Sequence, residues 1–137
     1  MKSMYRKTRR ATFNLTVHII FVTKYRREVL TDPMLTSLEK YFAEILEKWD
    51  SKIVQFNGEP DHVHLLVSTK PDKRLSDLIA NLKSTSCKML WKDYPSLSKT
   101  YWSKKVVWTP SYFLASCGGV TIEELEQYVK NQDRPND

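Results

Sequence analysis

Between Thr12 and Val22 the odd positions Phe13, Leu15, Val17, Ile19 and Phe21 are apolar, while Thr12, Asn14, Thr16 and His18 between them are polar. A period of two marks a strand with one buried face, and it commits the chain to a sheet that something must cover. The cover follows at once. Asp32 and Pro33 open a helix as cap and first-turn residue, and Leu35, Leu38, Phe42, Ile45, Leu46 and Trp49 then recur at helical spacing in one apolar stripe. Lys52 to Phe56 is a short strand, Asn57-Gly58 reads as a hairpin turn, and the stretch from Pro60 to Ser68 is the strand it leads into. A second stripe of Leu75, Leu78, Ile79, Leu82, Met89 and Leu90 makes another helix, with Lys83, Lys88 and Lys92 off the stripe. Asp93 to Lys105 has no period and reads as a loop tipped by Tyr101 and Trp102. Val106 to Trp108 and Tyr112 to Ala115, split by Thr109-Pro110, form the last extended segment, which Gly118-Gly119 ends. Thr121-Ile122-Glu123-Glu124 is a capping-box pattern, so a final helix is expected over 121–132, before a frayed tail.

Strand, helix, strand, strand, helix, strand is the order of an α+β, ferredoxin-like (RRM-like) βαββαβ sandwich, with helices on one sheet face and the other face open. The terminal helix is an addition to it. A length of 137 residues with 41% apolar content suits a single domain over 1–137, with a basic arm over 1–11. Two cysteines, Cys87 and Cys117, are too few for a disulfide scaffold, and together with the lack of a signal or membrane-spanning stretch they suit a soluble protein of a reducing cytoplasm. The net charge of +6 favours a polyanionic partner. Arg9, Arg10, Lys24, Tyr25, Arg26, Arg27, Lys73, Arg74, Lys104 and Lys105 are the candidate contacts to a nucleic acid, the aromatic interleaving at Tyr25 suiting an unpaired base.

The chemistry concentrates in Pro60-Asp61-His62-Val63-His64-Leu65-Leu66-Val67-Ser68, which holds two of the three histidines. On a strand His62 and His64 share a face, about 7 Å apart at their Cα atoms. They are two surface histidines or two ligands to one divalent ion. In the final helix Tyr128 and Gln132 lie one turn apart on one face. Packing against the sheet accounts for Tyr128, and solvent for Gln132, when the helix is taken alone. Beside a histidine pair a second account opens: a tyrosine hydroxyl can attack phosphorus when a metal polarises the phosphate, and a glutamine oxygen can supply a third ligand.

These residues, with the flanking Val22-Thr23-Lys24-Tyr25-Arg26-Arg27 and Trp108-Thr109-Pro110-Ser111-Tyr112-Phe113, resemble a TnpA-type single-tyrosine HUH transposase over nearly the whole chain. The resemblance implies a small homodimeric enzyme of bacterial or archaeal insertion sequences that acts on single-stranded DNA with hairpins at the element ends. It implies His62 and His64 as ligands of Mg2+ or Mn2+, Gln132 as a third ligand, and Tyr128 as the nucleophile. It also implies that the tyrosine helix of one subunit can complete the histidine pair of the other. Three alternatives compete. A ferredoxin-like sheet can stack single-stranded RNA without catalysis, but the first and third strands lack that module's aromatic signatures. A histidine-triad hydrolase needs a third alternating histidine where Leu66 stands. A related HUH nickase or a domesticated transposase acting on genomic palindromes differs in target, not in chemistry.

Overall fold

From Leu15 to Val22 the alternating stretch becomes one of the two inner strands of a four-stranded antiparallel sheet, while Thr12–Phe13 belongs to a separate two-stranded sheet. In the computed structural model, which describes residues 6–7, 12–13, 15–70, 72–116 and 127–132, β1 (Arg6–Lys7) and β2 (Thr12–Phe13) pair with each other. The main sheet comprises β3 (Leu15–Val22), β4 (Lys52–Glu59), β5 (His62–Thr69) and β6 (Phe113–Ser116), in the order β4-β5-β3-β6. Every neighbouring pair is antiparallel, so this is the ferredoxin-like arrangement that the element order requires. Helices α1 (Asp32–Glu47) and α2 (Leu75–Asp93) cover one face. Val17, Ile19 and Phe21 from β3 and Val63, Leu65 and Val67 from β5 meet Leu38, Phe42, Leu46, Leu78, Ile79 and Leu82 in the core between the layers.

Three local expectations are corrected. The cap of α1 is Thr31, whose Oγ1 accepts the Met34 N–H at 3.3 Å, and Asp32 and Pro33 are the first helical residues. The loop after α2 contains a 3-10 helix over Pro95–Lys99, because Leu97 reaches the core and pulls the chain inward. Tyr101 is no exposed tip either: it is buried and its hydroxyl donates to the Lys24 carbonyl at 2.7 Å. The capping box at Thr121 to Glu124, the glycines 118 and 119, Cys117 and most of the basic arm, including Arg9 and Arg10, lie outside the described residues.

The hairpin turn also moves. Asn57 and Gly58 are strand residues paired with His64 and Val63, and the turn is Pro60-Asp61. Gly58 is glycine for a packing reason. A Cβ there would stand 2.5 Å from Leu35 Cδ2 and 3.2 Å from Leu35 Cγ, so the Leu35 side chain would have to turn aside or α1 to shift. Gly58→Ala should therefore destabilise the fold by about 1–3 kcal/mol, the usual cost of overpacking. A urea melt would show the midpoint falling; an unchanged midpoint would mean that Leu35 rotates aside without cost.

Candidate active site

The sheet face away from the helices carries the histidines. Register places His64 beside Ile20 and His62 beside Val22 across the β3–β5 ladder, and Phe113 of β6 beside Ile20 on its other side. One cross-strand row thus reads Phe113, Ile20, His64, Asn57. Both imidazoles are half-buried on this face, while Val63, Leu65 and Val67 are fully buried on the opposite one. Alternation along a single strand sorts the two sets.

Each histidine has a partner that fixes its ring. His62 Nδ1 lies 2.8 Å from Asp61 Oδ1, and the other carboxylate oxygen of Asp61 accepts from Arg26 Nε at 3.2 Å. The carboxylate therefore holds the proton on His62 Nδ1 and leaves Nε2 as the free lone pair, the arrangement that orients a ligating histidine. His64 Nε2 lies 2.8 Å from His18 Nδ1, and the rings are stacked with centroids 5.1 Å apart. Burial first, and then the neighbouring His18 and His62, push His64 below the ordinary imidazole range. A neutral imidazole is the form that binds a metal. The donor set fits a divalent ion in type, with both rings on one sheet face and with His64 Nε2 engaged by His18. Among the described residues no three His, Cys, Asp or Glu side chains form a group able to hold a metal ion.

Residues 127–130 are helical, and with Asn131 and Gln132 they lie over the same face. Val129 packs with Ile20 and Val22, the cross-strand neighbours of His64 and His62, and Tyr128 packs against this cluster with its ring centroid 5.2 Å from that of Phe113. This face is consequently not wholly open: Ile20 and Val22 are buried beneath the segment. Ser111 gathers the candidate nucleophile and amide. Its hydroxyl donates to Gln132 Oε1 at 3.2 Å and lies 3.4 Å from the Tyr128 hydroxyl. Ser111 is held in turn by Lys83 of α2, whose ammonium donates to the carbonyls of Thr109 at 2.5 Å and Ser111 at 3.2 Å; burial lowers the Lys83 pKa. Arg26 closes the circuit, since its Nη1 donates to the Lys130 carbonyl at 3.3 Å while its Nε holds Asp61.

Tyr128 with Gln132, and His62 with His64, are therefore on one sheet face in one chain. Among the described residues no hydrogen bond joins Tyr128 or Gln132 to either histidine. From the sequence His18 lies on the polar face of its strand and reads as a solvated or hydrogen-bonded histidine, which here bonds His64, while sequence alone does not single out Asp61, Ser111 or Lys83. Asp61 carried a usable signal, since a carboxylate next to a candidate ligand is a common second partner, whereas Lys83 and Ser111 meet only through tertiary packing.

Of the basic candidates, Lys24, Tyr25, Arg27 and Lys104 line one surface cavity. Lys105 lines another with Cys87, Lys88, Trp91 and Lys92. Lys73 pairs with Asp50 and Arg74 with Asp77, beyond the end of β5 farthest from His62.

A family model described as "Transposase IS200 like" matches residues 11–132, which spans the whole sheet and both half-sites. The chain belongs to the IS200-like transposase family. This transposase is 28% identical over 127 residues to the ISDra2 transposase TnpA of Deinococcus radiodurans, covering 93% of its own length and 90% of that relative. It is 25% identical over 120 residues to the transposase for insertion sequence element IS200 of Salmonella typhimurium, covering 88% and 78% of the two chains. Its structure superposes with a TM-score of 0.86 on the crystal structure of a Deinococcus radiodurans protein assigned as a transposase, at 29% identity over 94% of this chain and 98% of that one. A REP-associated tyrosine transposase bound to a REP hairpin shares the fold, with a TM-score of 0.54 and 14% identity over 90% and 68% of the two chains. No described helix of this transposase is long and apolar enough to cross a membrane.

Proposed function

We propose that this transposase cleaves and rejoins single-stranded DNA at the ends of its insertion sequence, with Tyr128 as the nucleophile. The observation that carries the reading is the common face: Val129 seats the Tyr128 segment on Ile20 and Val22, whose strand neighbours are the two histidines. His62 and His64 would hold a divalent ion, Mg2+ or Mn2+, with the Gln132 oxygen as a third protein ligand. When bound, the ion polarises the scissile phosphate and offsets the charge that develops on it.

The chain's own residues do the rest. Asp61 and Arg26 keep His62 in one tautomer, and His18 restrains His64. Ser111 and the ring of Phe113 restrain the Tyr128 side chain. In the cleavage step a bond forms between the Tyr128 oxygen and phosphorus as the bond from phosphorus to the 3′ oxygen breaks. The phenolic proton passes to solvent and the departing 3′ oxygen takes one up. The products are a 5′-phosphotyrosine link and a free 3′-hydroxyl. Because the link conserves the energy of the phosphodiester, attack by another 3′-hydroxyl rejoins the strands without a nucleotide cofactor. We further propose that the enzyme works as a homodimer. Val129 and Tyr128 pack with Ile20, Val22 and Phe113, so exchange of the tyrosine helix between subunits would require that segment to leave them.

Incubation with labelled single-stranded hairpin DNA from the element ends tests the reading. A denaturation-resistant protein–DNA adduct should form with divalent ion and be lost on chelation, and affinity should fall steeply with salt as phosphate contacts release counterions. Absence of an adduct under every metal condition, or equal affinity for a blunt duplex of the same length, would overturn it.

A further inference from the structure

Arg26 holds the Asp61 that orients His62, while Lys24, Tyr25 and Arg27 of the same turn line a surface cavity. The turn is strained: Tyr25 and Arg26 have φ of 60° and 56°, the left-handed region that non-glycine residues enter at a cost. Its neighbours hold it there. Lys24 N–H donates to the Val107 carbonyl at 2.7 Å, the Thr23 hydroxyl donates to the Arg27 carbonyl at 2.6 Å, and the buried Tyr101 hydroxyl donates to the Lys24 carbonyl. Burial pushes Tyr101 up to about 12, so that hydroxyl keeps its proton as a donor. The reversal aims Arg26 at Asp61 and sets Lys24, Tyr25 and Arg27 along a cavity of about 420 Å3, whose other wall includes Tyr101, Trp102 and Lys104. Among the described residues no acidic side chain lines it. Trp102 is 83% exposed and Tyr25 46%, so two large rings face water, the Tyr25 ring with the Lys24 ammonium 5.1 Å from its centroid.

Exposed rings, cations and a concave surface of this size together suit one kind of ligand, a planar base carrying a phosphate. Resting on the function proposed above, we infer that this cavity seats a single unpaired nucleotide of the substrate strand, its base stacked on Trp102 and its phosphate held by Lys24, Arg27 and Lys104. The site is mechanically joined to the histidine pair. Thr23 N–H bonds the Asp61 carbonyl at 3.0 Å, and Arg26 bonds the Asp61 carboxylate that orients His62. A strand anchored in the cavity is thereby registered against His62 through one turn of backbone, so this nucleotide sets which phosphodiester is presented for cleavage.

The test is an abasic scan. Single-stranded hairpin oligonucleotides, each lacking one base in the unpaired flank, are titrated in chelator by fluorescence anisotropy against the full-length protein and its Trp102→Ala and Trp102→Tyr variants. For the unsubstituted protein one position, or two adjacent ones, should lose about tenfold in affinity when the base is removed, the scale of one stacked base. In Trp102→Ala that sensitivity should vanish while the salt dependence stays, and Trp102→Tyr should restore most of it. A flat profile for the unsubstituted protein, or a profile that Trp102→Ala leaves unchanged, overturns the nucleotide site and leaves the transposase chemistry standing. Absence of any preference for single strands together with absence of an adduct overturns the functional reading, and this site with it.

Discussion

Replacing Tyr128 by phenylalanine should remove the covalent DNA adduct entirely and leave the fold in place. The variant keeps the ring, which packs against Phe113 beside Val129, Ile20 and Val22, and loses only the oxygen. That oxygen makes one long contact, 3.4 Å to Ser111, so the loss in stability should be about 1 kcal/mol or less. Strand cleavage should fall by at least about a thousandfold, as it does when a nucleophile is deleted and binding is kept. Adduct yield on a denaturing gel, paired with a thermal melt, separates the two effects. A phosphotyrosine mapped by mass spectrometry to another tyrosine would refute the assignment. Gln132→Ala should behave differently, because it leaves the hydroxyl and removes a candidate ligand, the acceptor for Ser111 and a donor to the Tyr128 carbonyl; metal-dependent cleavage should weaken without disappearing.

That half of the site was readable in the sequence only as spacing. Tyr128 and Gln132 are one helical turn apart, and a turn is local information that survives into the structure, where the Gln132 side-chain amide donates to the Tyr128 carbonyl at 3.4 Å. The sorting of His62 and His64 from Val63, Leu65 and Val67 was equally local, since it needs only the alternation of a strand. What sequence could not supply is what comes from a distance. Ser111 reaches Tyr128 and Gln132 across 17 and 21 residues, and Lys83 reaches Thr109 across 26. No period or propensity encodes such contacts. Gly58 misled for a related reason: beside an asparagine it reads as a turn, yet it is a strand residue whose Cβ position the Leu35 side chain of α1 fills. His18 shows the same limit. Its place on the polar face of β3 was evident, whereas its contact with His64 runs diagonally, because register sets His18 opposite Leu66 and Ile20 opposite His64.

The histidine pair gives the second large effect. His62→Ala/His64→Ala should abolish cleavage and abolish binding of Mg2+ or Mn2+ by calorimetry, while affinity for the hairpin strand stays within a few-fold of the unsubstituted protein. The separation follows from where the side chains sit. Both are half-buried on the face that bears Val129 and Tyr128, whereas neither is among the residues that line the cavity of Lys24, Arg27 and Lys104. Removing His64 leaves His18 without that partner, and removing His62 leaves Asp61 its pairing with Arg26, so the cost in stability should be about 1–2 kcal/mol, too little to unfold a domain of this size. Asp61→Asn should give a graded version of the same result. It keeps the size of the side chain and gives up the carboxylate that fixes the His62 tautomer, so metal affinity should fall by about 10–100-fold with the strand still bound. Full cleavage by the purified double-alanine protein would leave the pair without a catalytic role. Mixing it with Tyr128→Phe then locates the halves: with subunit exchange proven, an intact tyrosine and an intact histidine pair meet only across a dimer, so recovered cleavage marks a segment exchanged between subunits. No recovery marks the seating on its own chain that Val129 makes with Ile20 and Val22.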